Sequence, residues 1–139
     1  FLPLNWEILE MPDRAQHVDL VRSLIRLRRT HAALRSDNIH VYPISFAEKK
    51  LICYDRRSGE LESQCFDFVV VALNFDNISR IVTLKLPNPG VWLDVISGRK
   101  HRLRRKQVRL TLRPWGAAVL VPVPDPTAIT PALDNTGEN

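Results

Sequence analysis

The sequence predicts a mainly β protein: an antiparallel β-sandwich of about seven strands with Greek-key connections, preceded by one amphipathic α-helix. Three observations carry this. The hydrophobic period changes from 3.6 to 2 near Val41, turn-forming clusters punctuate the chain from there to Pro122, and no later helical pattern is long enough for a crossover between parallel strands. Residues 69–75 (Val-Val-Val-Ala-Leu-Asn-Phe) form the most apolar run and hold no charge. Such a run, rich in β-branched residues and followed by Asp76-Asn77, reads as the central strand of a sheet, buried on both faces.

In chain order, residues 1–12 carry two prolines and little periodicity and read as an extended lead-in. Pro12 disfavours helix at Met11, and Asp13 is placed to cap a helix running to about Arg35. Leu20, Leu24, Leu27 and Leu34, with Val21 and Ile25 beside them, make one helical face. Arg22, Arg26 and Arg29 take the other side, and Arg28, Arg29 and Arg35 suit the negative end of the helix dipole. Residues 1–37 thus form a helical lead and 38–122 an all-β domain. Strands are expected at 41–46, 51–56, 68–75, 80–86, 91–96, 107–112 and 117–121. Between them lie Ala47-Glu48-Lys49, Arg57-Ser58-Gly59, Asp76-Asn77, Pro87-Asn88-Pro89-Gly90, Ser97-Gly98 and Pro114-Trp115-Gly116. Residues 123–139 are rich in proline and poor in apolar side chains, so a disordered tail is expected there.

Composition narrows the function classes. The 139 residues are 45% hydrophobic and 25% charged, globular averages for a chain that can hold one core. No run approaches the length of a membrane-spanning helix. Cys53 and Cys65 lack a CxxC spacing, so neither a disulfide framework nor a zinc site is expected, and a reducing, cytoplasmic setting is the simpler one. His17, His31, His40 and His101 show no ligand spacing, and there is no phosphate loop or G-x-S-x-G elbow; no metal or cofactor is expected. Asn77-Ile78-Ser79 fits a glycosylation sequon and reads as a turn. The chain opens on Phe1 without a basic or long apolar leader, as a piece of a longer protein would.

The order of elements, together with five short motifs, resembles the C-terminal end of the α-amylase family of glycoside hydrolases. In that family the last barrel helix runs into a β-sandwich called domain C. Leu4-Asn5-Trp6 resembles the segment before that helix, and residues 24–35 (Leu-Ile-Arg-Leu-Arg-Arg-Thr-His-Ala-Ala-Leu-Arg) resemble its end. Leu73-Asn74-Phe75 resembles a central domain C strand. Trp92, Asp94, Val95 and Gly98 resemble the family's strand and turn of pattern Trp-x-Asp-Val-x-x-Gly. Leu110, Leu112, Pro114, Gly116, Val119 and Leu120 resemble its closing strands. The likeness covers about residues 3–122, with some similarity to the trehalose-releasing and branching members.

The resemblance implies a parent acting on α-glucan, by hydrolysis or glucanotransfer, with an Asp nucleophile and a Glu acid/base at the ends of barrel strands. Those strands would precede Phe1, and no residue here matches them. No catalytic residue is therefore expected in this chain. Asp13, Asp37, Asp55, Asp76 and Asp94 read as cap, turn or solvated strand residues. The implied partner is an upstream (β/α)8 barrel of the same parent.

Two binding readings stand beside this structural one. Trp92, Trp115 and Tyr54 could stack on carbohydrate, an α-glucan, although aromatics also fill cores. Arg99, Lys100, Arg102, Arg104, Arg105 and Lys106 could bind a polyanion. No aromatic interleaves that run, and it fits better as a solvated loop guarding a sheet edge; nucleic acid is not the expected partner. Finally, Leu20, Leu24, Leu27 and Leu34 must be covered by something once severed from a barrel. The helix is expected to fold against the sandwich or to pair in a homodimer.

Overall fold

The computed structural model describes residues 6–7, 11–44, 46–59 and 66–124. Leu4 and Asn5 of the lead-in motif, Cys65, and the expected disordered tail from residue 125 onward lie outside the described residues.

Helix α1 spans Pro12–Thr30. Its start differs from expectation, because Met11 is the cap residue and Pro12 occupies the first turn, where a missing N–H costs nothing. Asp13 makes no cap hydrogen bond and lies instead in the first turn, at the positive end of the dipole. The helix also stops five residues short of Arg35. His31 is extended (φ −99°, ψ 115°), and Ala32–Arg35 continues as a separate 3-10 turn. Arg35 folds back so that Nη1 donates to the carbonyls of Arg28 (2.9 Å) and Arg29 (2.6 Å), which the broken helix leaves without partners.

Eight strands follow among the described residues: β1 Ile39–Val41, β2 Leu51–Ser58, β3 Asp67–Asn74, β4 Arg80–Lys85, β5 Gly90–Asp94, β6 Lys100–Leu103, β7 Gln107–Leu112 and β8 Ala117–Pro122. Six form an antiparallel sheet in the order β1-β2-β3-β8-β5-β6, and β4 and β7 pair as a second sheet across it. The chain therefore crosses between sheets before and after each of β4 and β7, and the result is the expected sandwich. Most strand ends shift by one or two residues, and two differences are larger. The strand expected at 41–46 is shorter and earlier, and Phe46–Lys49 makes one helical turn, α2, closed by Lys50 in a left-handed conformation (φ 51°). Strand β6 arises inside the basic run. Its alternation was hidden by charge, with His101 and Leu103 half-buried between exposed Lys100 and Arg102.

Strand β3 lies between β2 and β8, with Val71 opposite Tyr54 on one side and Val119 on the other. Its two faces enter two different cores. Val70 and Ala72 point between the sheets, where they join Leu51, Leu84, Trp92, Leu110 and Leu120. Val69 and Val71 point outward and are covered by Leu27 and Ala33. Burial on both faces, read from the sequence, thus depends on the end of α1. The rest of the helix stands clear: Leu20, Val21, Leu24 and Ile25 are 39–55% exposed.

Candidate functional site

The residues proposed for sugar stacking do not converge. Trp92 is 1% exposed, its ring edge-on to Phe68 at 6.0 Å and its indole N–H donating to the Asn88 carbonyl at 3.3 Å. Tyr54 is half-buried on the outer face, against the cluster that includes Leu27. Trp115 alone is fully presented, 70% exposed in the β7–β8 turn at φ 55°. Nor does the basic run make one surface. Lys100 and Arg102 lie exposed on β6, Arg104 and Arg105 lie in the β6–β7 turn, Lys106 lines a small cavity, and Arg99 lines a different one.

The helix is joined to the sandwich by a carboxylate latch that only the fold assembles. Asp67, at the start of β3, accepts from the ring of His31 at 2.8 Å and, through its other oxygen, from the Ala33 amide at 3.0 Å. Burial works to raise the Asp67 pKa, but the bonds from Ala33, His31 and the Phe68 amide outweigh it and hold the carboxyl below its ordinary 3.8. A carboxyl with a depressed folded value contributes stability above its unfolded value and loses it as pH falls through the folded one. Asp67→Asn is therefore expected to lower Tm most at pH 5–7, with the two melting curves converging below about pH 3. A constant gap across that range, measured by circular dichroism, would contradict this.

Two aspartates expected on solvated strands or turns are buried instead. Asp55 is fully buried on the face of Leu51 and Cys53, and Arg57 grips it twice, at 2.6 and 3.2 Å, while His40 meets it at 3.1 Å. Burial, with that carboxylate beside it, pushes the Tyr42 hydroxyl up, and the hydroxyl donates to the Lys85 carbonyl at 3.1 Å. The signal was present in the spacing Leu51-x-Cys53-x-Asp55-x-Arg57, which places all four on one face of a strand. Asp94, on the face of Trp92, is 6% exposed and accepts from the amides of Ile96 and Val119, both at 3.1 Å, and from the Ser97 hydroxyl. Both carboxylates are engaged in holding the fold.

Among the described residues, no group of three or more His, Cys, Asp or Glu is arranged to hold a metal ion. No helix there is long and apolar enough to cross a membrane. Burial pushes the Cys53 thiol up to about 11, which keeps it protonated and unreactive at neutral pH.

No protein-family profile matches the chain. Neopullulanase 2 of Thermoactinomyces vulgaris is 28% identical over 120 residues, covering 85% of this chain and 19% of that protein. The crystal structure of AmyP in complex with maltose superposes with a TM-score of 0.63 at 18% identity, over 79% of this chain and 21% of that one. An Anoxybacillus α-amylase gives 0.61 at 18% identity, over 78% and 22%. The chain thus spans about a fifth of the length of these relatives. These structural likenesses show the fold, a helix followed by an antiparallel β-sandwich, that the chain shares with part of AmyP and of the Anoxybacillus α-amylase.

Proposed function

We propose that this chain is the supporting C-terminal module of an α-glucan-acting hydrolase or glucanotransferase, without catalytic carboxylates of its own, and that it docks on an upstream (β/α)8 barrel through α1. The observation that carries this is the divided helix. Leu27 is 8% exposed where it caps the outer face of the sheet, whereas Leu20, Val21, Leu24 and Ile25, on the preceding turns, stay 39–55% exposed. Covering apolar surface contributes about 25 cal/mol per Å2, so four such residues amount to a few kcal/mol that only a partner surface can supply. A barrel from the same parent matches the share of the relatives that this chain leaves unspanned.

The chain alone is expected to release no reducing sugar from maltooligosaccharides. Supplied with the preceding part of the parent, expressed separately, it should bind it, and amide exchange in α1 should slow by about tenfold or more. Leu20→Glu with Leu24→Glu should abolish that association. Activity of the chain alone would overturn the reading, and so would a stable homodimer by light scattering that the same double substitution dissolves, since a second copy would then own the helix face.

A further inference from the structure

We propose that the groove between the β5–β6 turn and β7 is an anion site that takes a phosphate group, free or as a monoester on a small sugar. The groove has a volume of about 760 Å3 and is lined by Arg99, His101, Arg109 and Arg113. It rests on geometry independent of the supporting role, because α1 and the outer face do not contribute to it.

The charges reach this groove from two stretches of chain, the β5–β6 hairpin and the end of β7. Arg99 comes from the turn after β5, His101 from β6, and Arg109 and Arg113 from β7 and the residue just beyond it. Arg99 is brought in by a built turn: the Asp94 amide donates to the Arg99 carbonyl at 2.8 Å, Gly98 turns the chain at φ 71°, and the Arg99 amide donates to the Ser97 hydroxyl at 3.3 Å.

Among the described residues the positive charge is little neutralised. Asp94 is the one carboxylate among the described residues that lines the groove, and its two oxygens already serve Ile96, Val119 and Ser97. None of Arg99, Arg109 and Arg113 forms an ion pair among the described residues. Guanidinium groups match phosphate in geometry and charge, and these three stand exposed on the walls of one concave groove. His101 fits the same reading. Burial first, and then the neighbouring Arg99, hold its pKa below the ordinary 6.5 against the partial pull of Asp94, so it waits as a neutral imidazole that an arriving anion would help to protonate.

The test titrates the whole chain with inorganic phosphate, α-glucose 1-phosphate and glucose, at constant ionic strength made up with chloride, and reads backbone amide and His101 ring resonances. Phosphate and the sugar phosphate should both shift residues 97–101 and 109–116 and raise the His101 titration midpoint, and glucose should do neither. Tighter binding of the monoester than of phosphate would assign the site to a sugar phosphate, and equal binding to free phosphate. Arg99→Gln with Arg113→Gln should weaken binding by about tenfold per guanidinium while leaving Tm nearly unchanged. Arg102→Gln with Arg104→Gln, outside the groove, should leave it intact. The proposal fails if neither phosphate species shifts these residues, if both double variants weaken binding equally, or if chloride alone reproduces the shifts.

Discussion

Trp92→Ala is expected to destabilise the sandwich by about 3–5 kcal/mol, most of the stability that a domain of this size commonly holds. Trp92 is the largest of the fully buried side chains. It lies on β5 between His101 of β6 and Pro122 of β8 and reaches across to Phe68 of β3, so its removal opens a void touching four strands. Interior packing leaves little slack to close such a void. Trp92→Phe should recover more than half of the loss, since the ring contact survives and only the bond to the Asn88 carbonyl and some volume go. Urea unfolding followed by circular dichroism measures both, and a loss below about 1 kcal/mol for the alanine variant would show that the core closes without the indole.

Asn74→Asp should be nearly as damaging at neutral pH although it changes no volume. The Asn74 amide nitrogen donates to the carbonyls of Ile78 (2.9 Å) and Arg113 (2.8 Å), and its oxygen accepts from the Asp76 amide at 3.0 Å. This one 3%-exposed side chain ties the end of β3 to the β3–β4 turn and to the end of β7. A carboxylate there would keep the acceptor role and turn charge toward two carbonyl oxygens. The expected cost is about 3 kcal/mol or more. Burial beside carbonyls raises a carboxyl's folded pKa, so the variant should be most stable below the unfolded value near 4 and lose stability as pH rises through the folded one. Asn74→Ala, which introduces no charge, should show no such trend. Parallel pH profiles for the two variants would rule out this account.

Much of the architecture was legible because it depends on short periods. Alternation in residues 107–112 and 80–86 located β7 and β4 to within a residue, and the apolar run at 69–75 marked the strand at the heart of the larger sheet. Charge concealed β6, since Lys100 and Arg102 on its exposed face outweigh the half-buried His101 and Leu103 in any count of hydrophobicity. The helix was overextended for a different reason. Leu34 continues the apolar spacing, but Asp67, thirty-six residues after His31, draws His31 and Ala33 to itself and ends the helix at Thr30.

The sequence by itself determined most of the strands and the turns between them, β6 and the bounds of β1 excepted, because backbone sterics and a period of two act within one segment. It also carried the likeness to α-amylase-family chains. Only the tertiary structure decided what each face meets. It put Trp92 inside, left Trp115 outside, buried Asp55 and Asp94 with their partners, and split the basic run so that Arg99 lines one groove with Arg109 and Arg113. Those outcomes depend on strand order and sheet crossing, and contacts between segments distant in sequence leave no periodic trace in either segment.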